Sequence, residues 1–179
     1  MLSELRYHDL ALMGIKSFAR AEVVLQLLRP LQRRRHHTTA ACVDMVEIGF
    51  GLGETHQALL QGLDCLQLLS VDALPKRLAA RHRARFGNRS HFWHMDSALA
   101  AHRYPASCDL LFLDGGHLYD TVRGDLWAWW PKLRRGGTLA GHDYNAPNPG
   151  VVRAVNEFVA KEQLTLHLGV AYTWWVHVP

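Results

Sequence analysis

Five carboxylates in this chain fall where an apolar run gives way to a turn: Glu47, Asp72, Asp96, Asp114 and Asp143. Gathered at one rim they would repel one another unless hydrogen bonds, a cation or a metal offset the charge, so their recurrence argues for a site. Two histidines accompany them. His117 follows Asp114 closely and His142 directly precedes Asp143, and histidine can move a proton near neutral pH or ligate a metal. The remaining component is Val46-Glu47-Ile48-Gly49-Phe50-Gly51-Leu52-Gly53-Glu54, an apolar run that ends in an acid and turns through alternating glycines. Glycine reaches backbone angles closed to other residues and lets a ligand touch the main chain. The stretch Gly49, Phe50, Gly51 and Gly53 therefore reads as a cofactor-binding loop. Its spacing is G-x-G-x-G, and a dinucleotide fingerprint would need glycine at position 54, where this chain has glutamate. That disfavours NAD.

An alternation of strands and helices must position these residues. Residues 1 to 40 read as one or two helices, with Phe18, Ala21, Val24, Leu25 and Leu28 at helical spacing and Pro30 near the end. Segment 42 to 48 is the first strand, and a helix from Thr55 to Leu60 is closed by Gly62. Leu66 to Asp72 forms the second strand, followed by a helix with Pro75 in its first turn and Phe86-Gly87 at its end. His91 to Met95 is the third strand. Cys108 to Asp114 is the fourth, whose unbroken apolar run suggests burial on both faces. A helix over Tyr119 to Trp130 meets Pro131, and Gly136-Gly137 turns the chain into a fifth strand, Thr138 to Gly141. Asn148 and Pro149 begin a helix that bears Val151, Ala154, Val155 and Phe158 on one face. Leu164 to Val178 reads as two strands joined near Gly169. The implied fold is α/β, a doubly wound, mostly parallel sheet with helices on both faces and an antiparallel element at its C-terminal end. In such sheets ligands bind beyond the carboxyl ends of the strands, which is where the acids fall.

The acid followed by G-x-G-x-G resembles the class I S-adenosylmethionine-dependent methyltransferases. Asp114-Gly115-Gly116-His117-Leu118-Tyr119, Gly136-Gly137, Gly141-His142-Asp143-Tyr144 and Pro149-Gly150-Val151 resemble a bacterial-type group within that class. The resemblance covers roughly residues 42 to 160, and residues 1 to 40 add nothing to it. It implies a seven-stranded Rossmann-like sheet and S-adenosylmethionine as cofactor, held by Glu47, the glycine loop, Asp72, Asp96, Ser97 and Asp114. Asp72 stands where an acid can accept hydrogen bonds from both ribose hydroxyls. Asp96 resembles the position that accepts from the adenine amino group, although an aspartate after a strand also serves as a helix N-cap. Asp114 and Asp143 are similar to the metal-binding acids of catechol O-methyltransferase and of the cephalosporin-hydroxylase-like methyltransferases. Oxygen ligands suit Mg2+, whereas His142 beside Asp143 could recruit manganese, iron or zinc, or serve as a general base without metal. His142, Asp143 and His117 are the catalytic candidates.

The chain of 179 residues, 49% of them apolar, fits one domain over 1–179, with a helical segment over 1–40 and a cofactor-binding core over 42–179. No apolar run approaches the ~20 residues of a membrane span and no secretory pattern opens the chain, so the expected location is cytoplasmic. Cys42, Cys65 and Cys108 lack metal-ligand spacing and are expected to be reduced, mostly buried thiols. A net charge of +4 is concentrated partly in Arg33-Arg34-Arg35-His36-His37, but cations also favour a helix C-terminus, and no aromatic platform accompanies them. Nucleic acid is disfavoured as a partner; a small-molecule acceptor is expected, and a homo-oligomer is left open. The leading function is methyl transfer from S-adenosylmethionine to a small-molecule oxygen, with assistance from a divalent metal left open. The alternatives are a non-catalytic S-adenosylmethionine-binding regulatory or partner protein, and an NAD-dependent oxidoreductase.

Overall fold

The computed structural model describes residues 15–38, 42–74, 77–105 and 107–179. Its elements run α1 (Ile15–Thr38), β1 (Val43–Ile48), α2 (Glu54–Gly62), β2 (Leu66–Asp72), α3 (Arg77–Phe86), β3 (Ser90–His94), α4 (Ser97–Arg103) and β4 (Cys108–Leu113). They continue with α5 (Tyr119–Trp129), β5 (Leu133–Gly141), α6 (Pro149–Lys161), β6 (His167–Leu168) and β7 (Trp174–His177). The seven strands lie in the order β3-β2-β1-β4-β5-β7-β6. β1 to β5 pair in parallel, β7 runs antiparallel to β5, and β6 antiparallel to β7. The expected doubly wound sheet with an antiparallel C-terminal element is therefore present. Its strand order reverses between β1 and β4, the switch point at which a parallel sheet opens a crevice.

Two apolar cores hold the layers together, one on each face. On one, Ala21, Val24, Leu25 and Leu28 of α1 pack with Ala58 and Leu59 of α2 against Met45, Leu68 and Phe112. On the other, Leu126 and Trp129 of α5 and Val151, Val155 and Phe158 of α6 pack against Val46, Leu111 and Leu139. Six buried residues make up β4, as its apolar run foretold. Trp174 belongs to the second core and Trp175 packs against the first, the opposite-face placement that strand alternation requires.

Three expectations change. First, α1 continues past Pro30 to Thr38, so the basic run remains helical. Its arginines are drawn into the fold: Arg34 donates to the Gly136 carbonyl at 3.0 Å, and Arg35 lies 3.5 Å from Asp44 and 3.7 Å from Asp109. Second, Cys42 and Cys65 are not reduced thiols but a disulfide, with Cys108 the free, buried cysteine. The two precede neighbouring parallel strands, where Val43 donates to the Cys65 carbonyl, and this register sets their Cα atoms 4.6 Å apart. Third, β5 begins at Leu133 rather than Thr138, with Gly136 at φ 71 inside it. The expected place of Pro75 lies outside the described residues. No helix among the described residues is long and apolar enough to cross a membrane.

Candidate active site

The glycine loop leaves β1 at the switch point and turns through three left-handed glycines, Gly49 at φ 96, Gly51 at φ 54 and Gly53 at φ 79. Gly49 is the tightest: a Cβ there would stand 2.1 Å from the carbonyl oxygen of Asp114. The loop is thus pressed against the end of β4, and residues that are distant in sequence become one wall. Asp72 braces it from β2, its Oδ2 accepting from the Phe50 amide at 3.0 Å and its Oδ1 from the Leu74 amide at 2.8 Å. A carboxylate oxygen can accept two hydrogen bonds, so this bracing is compatible with a ribose contact.

Glu47 does not stand on the rim. It is 1% exposed, and its carboxylate accepts from the Ser70 hydroxyl, which in turn meets His56 Nδ1 at 2.6 Å; His56 Nε2 lies 2.8 Å from Ser90. Four of the five acids therefore stand at the rim. Phe50 also turns inward, among the rings of His56, His82 and Phe92, leaving its main chain to the loop surface. Asp96 is exposed and caps α4, its Oδ1 accepting from the amides of Ala98 and Leu99. The N-cap role is realised, and among the described residues Oδ2 has no partner within the chain. Ser97 is committed elsewhere. Its hydroxyl accepts from the Trp129 indole at 2.8 Å and bonds to Asp125, which ties α4 to α5.

Across the loop, Asp114, His142 and Asp143 come together, with one ligand atom from each lying within 4.8 Å of the others. His142 Nδ1 is 3.4 Å from Asp114 Oδ1 and 3.1 Å from Asp143 Oδ1. It is buried and lacks an aligned hydrogen-bond partner, so the short separations express charge attraction without good bonding geometry. Asp143 sits at φ 61, a left-handed conformation that aspartate tolerates better than most residues and that aims the carboxylate at both histidines. His117 Nε2 reaches its other oxygen at 2.7 Å, and the His117 side chain is 52% exposed. The close His142 ring, first, and the neighbouring His117 hold Asp143 below the usual carboxylate range, against its partial burial. Burial pushes Asp114 the other way, to about 6, against the opposing pull of Arg20 and His142.

Arg20 was not anticipated. It projects from α1, its Nη1 2.8 Å from Asp114 Oδ2 and its Nε donating to the Thr55 hydroxyl at 3.1 Å. The N-terminal helix therefore contributes to the site, although it carries none of the motifs. Amphipathic spacing marked α1 as packed against the core, but nothing in the sequence tied this arginine to a residue 94 positions away. Arg20, Gly51, Asp114, His117, His142 and Asp143 border one cavity of about 370 Å³.

A family profile described as a methyltransferase domain matches residues 46–144, more than half of the 179 residues. The chain belongs to the methyltransferase-domain family. It is an S-adenosylmethionine-dependent methyltransferase, which removes the non-catalytic and NAD-dependent alternatives. Similar solved structures include the O-methyltransferase NovP, at TM-score 0.67 and 18% identity over 92% of this chain and 80% of NovP. A candidate caffeoyl-CoA O-methyltransferase from Staphylococcus aureus is similar at TM-score 0.64 and 14% identity, covering 96% of this chain and 95% of that one. The mycinamycin-pathway methyltransferase MycE, solved with Mg and S-adenosylhomocysteine, is similar at TM-score 0.60 and 18% identity over 84% of this chain and 49% of MycE. At these identities the likeness is one of fold. No curated protein matches the chain in sequence.

Proposed function

We propose that this methyltransferase acts on a hydroxyl of a small molecule, catechol-like or sugar, with a divalent cation at Asp114, His142 and Asp143. The carrying observation is the buried His142 Nδ1, which has no aligned partner and stands between two carboxylates across the cavity from the glycine loop. A nitrogen and two carboxylate oxygens within 4.8 Å of one another form a donor set that suits magnesium, or manganese, iron and zinc on account of the histidine. MycE's structure with Mg and the oxygen chemistry named for NovP support the same reading. The cation would supply charge to an acceptor oxygen that is losing its proton.

The chain's own residues do the rest. The amides and bare Cα atoms of Gly49, Gly51 and Gly53 would border the donor, with Asp72 accepting from its ribose hydroxyls and Asp96 Oδ2 from its adenine amino group. Glu47 would act from beneath, fixing β1 to β2 through Ser70. The acceptor oxygen attacks the sulfonium methyl in line, the carbon–sulfur bond breaks, and its electron pair leaves with the neutral thioether. Orientation in such a displacement can contribute ~7 to 11 kcal/mol, more than the roughly 10²- to 10⁴-fold from a general base. His117 would take the acceptor's proton. With its Nε2–H donated to Asp143 at 2.7 Å, Nδ1 is the basic nitrogen, and its exposure allows return of the proton to solvent.

Calorimetric titration with S-adenosylhomocysteine, and with Mg2+ and Mn2+ against wild type and Asp143→Asn, tests the binding roles. Binding of the homocysteine analogue together with a cation affinity lost in the variant is the expected pattern. Equal cation affinity in the two proteins would remove Asp143 from the site. Mass spectrometry of catechol and sugar panels incubated with S-adenosylmethionine then identifies the atom methylated. Product carrying the methyl on nitrogen or carbon alone would overturn the hydroxyl assignment.

A further inference from the structure

A helix packed beside a neighbour normally turns an apolar stripe at i, i+3, i+4 and i+7 toward it. On α3 the residues at that spacing beside α2 are Leu78, Arg81, His82 and Arg85. That face carries two exposed guanidiniums and the buried His82 imidazole, and with the start of α2 it borders an open cavity of about 310 Å³. Neither Arg81 nor Arg85 has a carboxylate partner among the described residues; Arg85 lies over the Phe86 ring, 5.3 Å from its centroid. Other arginines of this region are spent on structure: Arg89 donates to the Leu60 and Leu63 carbonyls, and Arg83 to that of Ser90. Glu54 is the one acid among the described residues lining the cavity, so the lining is net positive.

His82 is the third nitrogen-bearing side chain of the lining. It lines the cavity, is 8% exposed, and its Nδ1 is buried without a hydrogen-bond partner. Burial, then the neighbouring His56 and Arg85, lower its pKa to about 4, so it is a neutral imidazole. Across the cavity, Gly53 begins α2 without any side-chain cap, so the positive end of the helix dipole adds to the arginines.

We propose that this cavity is a second ligand site, adjoining the donor position across the glycine loop and apart from the cation position, that binds a phosphate-bearing small molecule between Arg81, Arg85 and His82. Two planar guanidiniums one helical turn apart match a group with several anionic oxygens better than they match a single carboxylate. The cavity shares Leu52 and Glu54 with the cavity at the active site, so its occupant lies against the outer side of the glycine loop.

The test is calorimetric titration of the intact protein with inorganic pyrophosphate and, separately, with a nucleoside diphosphate. Both are repeated on Arg81→Gln, Arg85→Gln and the double variant, with Arg103→Gln on α4 as a charge-matched control. We expect each single change to weaken binding about tenfold and the double change to abolish it, while Arg103→Gln leaves it intact. A nucleoside diphosphate that binds more tightly than pyrophosphate would show the occupant to be a nucleotide-like molecule; equal affinity would show that the phosphates alone are read. Failure of both probes to bind wild type would overturn the proposal, as would equal losses in the Arg103 variant. S-adenosylhomocysteine binding, measured on the same samples, confirms that the variants are folded and separates failure here from failure of the methyltransferase reading.

Discussion

Arg20 and Asp114, 94 positions apart, form a guanidinium–carboxylate contact at the candidate cation site, 2.8 Å between Nη1 and Oδ2. Both are mostly buried, with side chains 18% and 12% exposed. The guanidinium already supplies positive charge to a carboxylate that a divalent cation would need. An entering ion must share Asp114 with Arg20 or displace it.

Arg20→Ala is therefore expected to tighten divalent-ion binding. At pH 8 Asp114, with its pKa at about 6, is ionised in the wild type, and the variant removes the cation that competes for it. A partly buried pair of this kind supports a gain of roughly three- to tenfold. Mn2+ titration of wild type and variant reads it directly, and weaker binding in the variant would show that Arg20 assists the ion instead.

The glycine loop makes a sharper structural contrast. Gly49→Ala would place a Cβ 2.1 Å from a backbone oxygen that cannot move without shifting β4, at φ 96. Gly51→Ala meets nothing within 4 Å and bears only the positive-φ penalty. We expect a loss on the order of 3 kcal/mol or more for the first and about 1 kcal/mol for the second. Urea denaturation separates them. Titration with S-adenosylhomocysteine should show a larger affinity loss for Gly49→Ala.

Much of this arrangement is visible in the sequence because glycines and prolines punctuate it and strands end in acids. The elements and the facing of Asp114, His142 and Asp143 follow from local spacing plus one rule about parallel sheets. What escaped depends on registers and packing that no local pattern encodes. A strand buried on both faces gives no alternation to say which way Glu47 points, and it points toward Ser70 and His56. The bonds of Ser97 to Trp129 and Asp125 arise only from the docking of α5. The Cys42–Cys65 pairing follows from strand neighbours, and Arg20 from the docking of a helix with no motif.

The disulfide closes a loop with a sequence separation of 23 and joins the starts of β1 and β2, away from the ligand rim at the strands' carboxyl ends. Cross-linking a loop of that length should stabilise the fold by about 3 kcal/mol through the unfolded chain. Replacing both Cys42 and Cys65 with serine, or adding dithiothreitol to wild type, should lower the urea midpoint by the corresponding amount. Homocysteine-analogue affinity should stay unchanged at low denaturant. An unaltered midpoint would show that the bond does not form in solution.

Asp125 offers a pH test of the packing beneath the rim. It is 9% exposed, and burial raises its pKa from 3.8 to about 6, opposed by the Ser97 hydrogen bond and reinforced by Asp96. Because the folded pKa lies above the unfolded one, the stability gained by holding the proton is fully present below about pH 4. It is lost as pH rises through about 6. Asp125→Asn removes the charge while keeping the shape and an acceptor for Ser97. The variant should exceed wild type by on the order of 1–3 kcal/mol at pH 7.5 and match it near pH 4. Asp114 titrates in the same window, and His82, lowered to about 4, acts with the opposite sign, so the comparison must be made at equal pH between the two proteins. Urea unfolding at both pH values provides it. A constant difference across the range would mean that Asp125 is ionised throughout in the folded protein and that its burial is compensated by Ser97.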